Sequence, residues 1–216
     1  MLELAIKFLL SYFLGSIMGS LVVGRLRGGV DIRTMGSGNA GGTNALRTQG
    51  FAFALGVMII DIGKGVIGTG FVPGIDLPFV GESPDVSREW LVLCCAAASV
   101  IGHVWPMWHQ FRGGKGAATL VGTLIVLAPN LLLPVVGVWV VVLVLSGYVG
   151  LATILAGFTA PVVLAVTNLP DDQPVFIYCT VMAMYIVFSH RSNIQRMRTG
   201  EENRLRQAMI FRRNQA

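Results

Sequence analysis

Long apolar runs separated by short polar segments make up most of the chain. Five of these runs are close to the roughly 20 residues that a helix needs to cross a hydrocarbon core, and they lie at 4–23, 51–72, 90–108, 148–167 and 174–189. In the first run, small residues recur at four-residue spacing, Gly15 with Gly19 and Ser16 with Ser20, which favours close packing between helices. The pattern predicts an all-α fold, a polytopic integral membrane protein that forms a single domain over residues 1–216.

A further run, 116–147, is too long for one crossing. A single helix of that length would measure about 48 Å, whereas the hydrocarbon core is about 30 Å thick. Pro129-Asn130 and Pro134 offer a turn inside the run. We therefore expect two short spans, 117–128 and 131–145, followed by another turn at Ser146-Gly147, which brings the prediction to seven transmembrane helices.

The distribution of basic residues supports seven spans. With that count, the loops at 24–50 and 109–116 share one face with the tail from residue 190 onward, and this face carries thirteen of the sixteen basic residues. They are Arg25, Arg27, Arg33, Arg47, Arg112, Lys115, Arg191, Arg196, Arg198, Arg204, Arg206, Arg212 and Arg213. The loops at 73–87 and 168–173 are acidic. Because basic loops favour the cytoplasm, we predict the N-terminus outside and the C-terminus in the cytoplasm.

Composition agrees with this picture and excludes some functions. The chain is 54% hydrophobic and only 12% charged, with a mean hydropathy of +0.70. Its start has no basic segment and no small-residue cleavage site follows, so we expect a retained first span. Cys94, Cys95 and Cys179 lie in apolar runs, which predicts neither a disulfide framework nor a metal site. The arginines flank apolar spans, which indicates contact with membrane lipid and not with nucleic acid.

The most polar segment between spans is 36–47, which contains four glycines. Glycines let the backbone approach a bound group, and hydroxyl, amide and guanidinium side chains add donors, so the segment favours an anion such as phosphate. Gly36-x-Gly38-x-x-Gly41 formally matches a dinucleotide-binding fingerprint. No strand precedes it, however, so we take that match to be false.

Two further polar segments lie on the same face, and a charged pair lies within the second span. Gly113-Gly114-Lys115-Gly116 opens a helix, where backbone donors suit phosphate. The polar segment 190–196 directly follows the last span. Asp61 and Lys64 lie three residues apart in the second span, where charges are costly. They form either a structural ion pair or a substrate contact through Lys64, and we favour the substrate contact.

These segments together resemble the three cytoplasmic motifs of the bacterial acyl-phosphate:glycerol-3-phosphate acyltransferases. The first is Gly36-Ser37-Gly38-Asn39 with Gly41, Thr43, Asn44 and Arg47; the second is Gly102-His103 followed by Phe111-x-Gly113-Gly114-Lys115-Gly116-x-Ala118-Thr119; the third is His190-Arg191-x-Asn193-Ile194-x-Arg196 ending at Gly200-x-Glu202. Asp61-x-x-Lys64-Gly65 resembles another element of the family. Gly42, Ala117 and Met197 depart from its pattern, none of them at a polar motif position.

The resemblance implies a reaction, a place and a set of partners. It implies an enzyme that transfers a fatty acyl group from acyl phosphate to the sn-1 hydroxyl of glycerol 3-phosphate, giving lysophosphatidic acid and phosphate, as the first acylation of phospholipid synthesis. It implies the bacterial cytoplasmic (inner) membrane, with the active site on the cytoplasmic face and no cofactor or metal. A soluble enzyme that makes acyl phosphate is a candidate partner.

On this resemblance, site residues fall into two groups. Those expected to act on the acyl phosphate are Ser37, Arg47, Lys115, His190 and Asn193. Those expected to bind glycerol 3-phosphate or to shape the loops are Asn39, Thr43, Asn44, Lys64, Gly113, Gly114, Gly116 and Glu202. The general base stays open between His190, His103 and an oxygen of a substrate phosphate, with a structural role favoured for His103 and an interfacial one for His109.

Two other function classes are alternatives to the acyltransferase. A transporter or channel for phosphate or an organic phosphate would suit charged residues within spans and interrupted apolar segments, but the sequence has no inverted repeat. An alcohol phosphotransferase would need an aspartate-rich span and a divalent metal, and the sequence lacks such a cluster.

Overall fold

The computed structural model describes residues 1–167, 169 and 171–210. This part of the chain forms ten α-helices, short 3-10 turns and no strand, which confirms the all-α prediction. The helices are α1 (Leu2–Gly15), α2 (Gly19–Leu26), α3 (Gly42–Gln49), α4 (Phe51–Gly70), α5 (Arg88–Val104), α6 (Ala117–Leu127), α7 (Leu132–Ser146), α8 (Val149–Thr167), α9 (Gln173–Ser189) and α10 (Arg191–Thr199). Asn168, Pro170, Arg212 and Arg213, which the topology prediction uses, lie outside the described residues.

Several helical segments are long and apolar enough to cross a membrane. Within the described residues, four qualify alone, at Phe51–Gly74, Arg88–His109, Pro129–Ser146 and Val149–Thr167. Two bent pairs, α1 with α2 and α9 with α10, raise the number to as many as six. Helix α6 is also apolar, but its 11 residues span only about 16 Å, well short of a hydrocarbon core. The structure therefore supports a multi-pass membrane protein, and the count of seven stays a prediction.

Two local features differ from the sequence-based expectation, and a third was not predicted at all. The predicted first span is broken, because α1 ends at Gly15 and α2 begins at Gly19 after a 44° bend. The polar segment 36–47 is a loop only in its first half, since its second half enters α3. Residues after His190 continue as α10, so the start of the tail is helical. The predicted turns are confirmed, with α6 and α7 separated at Pro129 and Gly147 following α7.

The helices divide into two compact units, Met1–Pro129 and Asn130–Ala216. In the first unit, glycines bring helix backbones into direct contact. A Cβ atom added at Gly65 of α4 would collide with the Thr119 carbonyl of α6, and one added at Gly122 with the Ile62 carbonyl. The same holds between α1 and α5, where a Cβ at Gly102 would collide with the Tyr12 carbonyl. Small residues therefore set the spacing of these helices, as expected for packing in a membrane.

A buried ionic cluster joins the start of α1 to the start of α5. The Glu3 carboxylate, 3% exposed, accepts from Lys7 Nζ at 2.8 Å and from Arg88 Nη1 and Nη2 at 2.6 and 2.7 Å. It also accepts from the backbone N–H of Ser83 at 2.8 Å. Lys7 Nζ donates in addition to the Pro73 carbonyl at 2.6 Å. The loop between α4 and α5 is thereby tied to α1.

The second unit consists of α7 to α10 and the segment that follows them. The buried face of α8 carries Ala152, Ala156, Ala160 and Leu164 at four-residue spacing, and α7 and α9 both pack against α8. The tail returns to the turn after α7: the Leu205 N–H donates to the Gly147 carbonyl at 2.8 Å. Large apolar side chains on α7, α8 and α9 are exposed, which suits helices that face lipid.

The glycine contacts in the first unit lead to a stability prediction. Gly122→Ala should lower the free energy of unfolding by about 1–3 kcal/mol, because its Cβ would force α6 away from α4. Gly63→Ala is the matched control, since a Cβ at that helical position would meet nothing within 4 Å. Thermal unfolding in detergent measures both. Equal melting temperatures for the two variants would contradict the packing described here.

Candidate functional site

One buried side chain shapes the loop between α2 and α3. Asn44, 1% exposed, donates from Nδ2 to the carbonyls of Ile32, Met35 and Asn39 at 2.8, 3.0 and 2.9 Å. Its Oδ1 accepts from the Ser37 N–H at 3.0 Å. The amide nitrogen, whose two N–H groups are shared among three carbonyls, and the amide oxygen are therefore both directed to the loop backbone. Asn44, which the sequence placed among the substrate-binding residues, has a loop-shaping geometry.

The other polar side chains predicted for the site in this segment do not take part in the Asn44 hydrogen bonds. Gly36 has a φ of +57°, and a Cβ there would collide with Asn44 Oδ1, so the position requires glycine. Ser37 and Arg47 are exposed, whereas Asn39 and Thr43 are half-buried. Helix α3 begins after Gly41 without a side-chain cap. The N–H groups of a helix's first turn lack intrahelical partners and attract anions.

Asp31 and Arg33 stiffen the entrance to this loop. Arg33 donates from Nε and Nη2 to the two carboxylate oxygens of Asp31, at 3.0 and 2.7 Å, and the Arg33 N–H donates to Asp31 Oδ1 at 2.9 Å. These hydrogen bonds hold the pKa of Asp31 below its ordinary value. Between the two residues, Ile32 is fully buried against Ala45, Phe53 and Val57. The loop is thus anchored to α3 and α4.

A second glycine-rich loop connects α5 with α6. The Gly114 N–H donates to the His103 carbonyl at 3.1 Å and the Gly113 N–H to the Val104 carbonyl at 3.2 Å. Gly116 precedes α6 with a φ of +88°, a conformation that favours glycine. Lys115, half-buried, stands immediately before the start of α6. The predicted arrangement of a lysine at a helix N-terminus is therefore present.

A cavity of about 380 Å³ lies between the two loops. Its lining consists of Asp31, Arg33, Thr34, Gly38, Trp108, His109, Gln110, Arg112 and Gly113. Arg112 is exposed, and the guanidinium of Arg33 reaches the Arg112 carbonyl at 3.4 Å. Neither Arg33 nor Arg112 was predicted from the sequence as a site residue. Asp31-x-Arg33 could have indicated Arg33 from the sequence, because this spacing allows the carboxylate to hold the guanidinium in place.

Lys64 does not reach this cavity. Its Nζ lies 3.0 Å from Asp61 Oδ1 and donates to the Ile17 carbonyl at 2.6 Å, and both charged side chains are at most 3% exposed. Asp61 Oδ1 also accepts from the Gly19 N–H at 3.2 Å and lies 3.4 Å from His103 Nδ1. The structural ion pair, the alternative to a substrate contact, describes this geometry. A substrate contact through Lys64 stays a prediction.

The remaining predicted residues belong to the second unit. His190 Nδ1 lies 2.8 Å from the Ile186 carbonyl. Because a carbonyl oxygen only accepts, the neutral ring carries its proton on Nδ1, and Nε2 is the basic nitrogen. Asn193 Nδ2 donates to Glu202 Oε1 at 2.6 Å, and Arg196 Nε donates to Glu202 Oε2 at 2.6 Å. Glu202 thus ties the chain after α10 back to that helix.

Comparisons with known proteins agree on one family. The model of the glycerol-3-phosphate acyltransferase family matches residues 5–200. A curated glycerol-3-phosphate acyltransferase of Chlorobaculum tepidum is 36% identical over 226 residues, which covers 95% of this chain and 97% of the relative. One of Chlorobium phaeobacteroides is 37% identical over 230 residues, covering 95% and 98%.

Two crystal structures show the same fold. Both are of PlsY (YgiH), an integral membrane glycerol 3-phosphate acyltransferase. The glycerol 3-phosphate form is similar with a TM-score of 0.78 and 32% identity, over 94% of this chain and 95% of that chain. The lysophosphatidic acid form is similar with a TM-score of 0.76 and 32% identity, over 93% and 94%.

The Asn44 network can be tested by substitution. Asn44→Ala should lower the free energy of unfolding by about 2–4 kcal/mol, because three carbonyls and one N–H of the loop lose their partner. Asn44→Asp should be nearly as harmful, since a carboxylate cannot donate. Asn130→Ala, at an exposed position, is the control. Wild-type thermal unfolding of Asn44→Asp would contradict this account.

A second prediction concerns the Asp61–Lys64 pair. Asp61→Asn and Lys64→Met should each cost about 3–5 kcal/mol of unfolding free energy, because each leaves a buried group without its charged partner. The double variant should be more stable than either single variant, since it removes both charges together. Denaturation in detergent provides the measurement. Additive losses in the double variant would show that the two charges do not depend on each other.

Proposed function

The chain belongs to the glycerol-3-phosphate acyltransferase family, and on that premise we propose that its acyl donor is acyl phosphate and its acceptor the sn-1 hydroxyl of glycerol 3-phosphate. The coarser function is an integral membrane acyltransferase of phospholipid synthesis. The products of the proposed reaction are lysophosphatidic acid and inorganic phosphate. Neither a cofactor nor a metal takes part in it.

One observation carries the choice of donor. The first unit holds two glycine-rich segments, each leading into a helix N-terminus, on either side of a cavity lined by Arg33, Arg112 and Thr34. Backbone N–H groups and cationic side chains suit phosphate groups. Glycerol 3-phosphate accounts for one such group. A donor whose reacting carbonyl itself carries a phosphate accounts for the second, whereas a thioester donor has no phosphate at that position.

The proposed step is an acyl transfer without a covalent enzyme intermediate. The sn-1 oxygen attacks the acyl carbon, the new ester C–O bond forms, and the C–O bond to phosphate breaks with its electron pair leaving on phosphate. Because acyl phosphate is a mixed anhydride with a good leaving group, positioning and charge stabilisation lower the barrier. The hydroxyl proton passes to His190 or to an oxygen of a substrate phosphate.

The residues of the site have distinct proposed roles. Ser37, Arg47 and Lys115 bind the acyl phosphate and stabilise the charge that develops on it. His190 and Asn193, which belong to the second unit, are also proposed to act on the acyl phosphate. Asn39, Thr43, Gly113, Gly114 and Gly116 bind glycerol 3-phosphate or keep the backbone open to it. Asn44, Lys64 and Glu202 act by holding the loops and α10 in place, as their contacts support.

We also propose the arrangement in the membrane. The chain forms one domain over residues 1–216 with seven transmembrane helices, its N-terminus outside and its C-terminus in the cytoplasm. The site then lies on the cytoplasmic face of the bacterial inner membrane. Acyl phosphate and glycerol 3-phosphate are available on that side. A soluble enzyme that makes acyl phosphate is the proposed partner. The placement of most basic residues in the loops at 24–50 and 109–116 and in the tail supports this orientation.

The proposed function predicts a specific assay result. Purified protein in detergent should release phosphate from palmitoyl phosphate only when glycerol 3-phosphate is present, without metal or ATP. Lys115→Ala and Asn193→Ala should each lower kcat/KM by about a hundredfold, because each removes a donor from the developing charge. Asn130→Ala is the matched control for Asn193→Ala and should behave as wild type.

Parallel arms test the donor, the acceptor position and the alternative function. Palmitoyl coenzyme A in place of palmitoyl phosphate should give no product, and NMR of the product should place the ester at sn-1. Turnover with the thioester would contradict the proposed donor. Absence of phosphate release, together with phosphate uptake by proteoliposomes, would favour a transporter instead.

A further inference from the structure

His103 lies at the point where the buried charges of the spans meet the second glycine-rich loop. Its side chain is 3% exposed, and Nδ1 faces Asp61 Oδ1 at 3.4 Å. This separation makes the contact electrostatic and not a hydrogen bond. The same Asp61 oxygen is held from other directions by Lys64 Nζ at 3.0 Å and the Gly19 N–H at 3.2 Å. The carboxylate that orients the ring is therefore itself fixed.

The opposite edge of the ring lies against the loop. A Cβ atom added at Gly114 would collide with His103 Nε2, and it would lie 2.8 Å from Cε1 and 3.1 Å from Cδ2. The backbone of His103 also holds the loop, since its carbonyl accepts from the Gly114 N–H at 3.1 Å. Gly114 is thus enclosed by the side chain and the backbone of one residue. Lys115 and the start of α6 follow directly.

We propose that His103 is a positioning residue, whose ring, held by Asp61, packs on Gly114 and sets the backbone conformation of the loop that presents Lys115. The role rests on the proposed function, because it acts through a residue that binds the acyl phosphate. It differs from the role of general base, in which Nε2 would face the acceptor hydroxyl. Here Nε2 occupies the space that a Cβ atom of residue 114 would need.

A double-mutant cycle tests the contact between ring and loop. Gly114→Ala should lower kcat/KM by about tenfold or more, because the added methyl group displaces the loop from the ring. His103→Ala removes the ring and makes room for that methyl group. The double variant His103→Ala/Gly114→Ala should therefore exceed the Gly114→Ala enzyme in kcat/KM by at least about threefold.

Gly113 provides a matched control within the same loop. A Cβ at Gly113 would collide with the carbonyl oxygen of His103, and it would also crowd Pro106 Cδ and the Val104 carbonyl at 2.6 and 2.8 Å. The backbone atoms among them remain when the ring is removed. His103→Ala should therefore not rescue Gly113→Ala, and the two effects on kcat/KM should multiply.

Each measured outcome bears on the positioning role. If the losses of kcat/KM from His103→Ala and Gly114→Ala multiply in the double variant, and all variants fold like the wild type, the positioning role is overturned. Activity of His103→Ala below detection, with wild-type thermal unfolding, would also overturn it and point to direct reaction at the ring. If Gly114→Ala does not fold, the double variant must regain the wild-type size-exclusion profile and activity for the role to stand. An inactive wild-type protein would instead refute the proposed function, and the positioning role with it.

Discussion

Burial of an ion pair among apolar helices is the constraint on which the first unit depends. Hydrocarbon offers no hydrogen bonds, so every charge and every free backbone group within the spans needs a partner in the protein. The break between α1 and α2 leaves the Ile17 carbonyl and the Gly19 N–H without helical partners. Lys64 donates a hydrogen bond to the Ile17 carbonyl, and Asp61 accepts one from the Gly19 N–H. The broken helix and the charged pair therefore satisfy each other, and neither would be stable in the membrane alone.

The two loops of the first unit are kept rigid in different ways. The loop before α3 is held by the buried Asn44 amide at the start of α3, which donates hydrogen bonds to three of the loop's carbonyls. The loop before α6 has external support, since the end of α5 supplies the carbonyls and a ring that the glycines of the loop contact. In both loops, glycines are needed because a side chain would collide with neighbouring groups of the protein. The backbone N–H groups that they leave uncovered also suit a phosphorylated ligand.

Local sequence features predicted the elements, and partners distant in sequence decided the roles of individual residues. Proline at 129 and glycine at 147 marked turns correctly because backbone restrictions act locally. Asn44 was expected either to bind glycerol 3-phosphate or to shape the loop, and the sequence could not decide between the two roles. A polar residue in a glycine-rich segment gives no sign that its amide will contact carbonyls up to 12 residues away. The contact of Glu3 with Arg88 joins residues 85 positions apart, and no pattern within either helix indicates it.

The Glu3 cluster gives the join between α1 and α5 a mixed response to salt. The Arg88 side chain is 45% exposed, whereas those of Glu3 and Lys7 are about 5% exposed or less. Mobile ions screen exposed charges over a Debye length of about 8 Å at physiological ionic strength, but they act weakly on buried pairs. The guanidinium half of the cluster therefore weakens as salt concentration rises, while the lysine half and the Ser83 N–H keep hold of the same carboxylate. Raising the ionic strength therefore weakens the contact between α1 and α5, while the loop between α4 and α5 stays attached to α1 through Ser83 and Pro73.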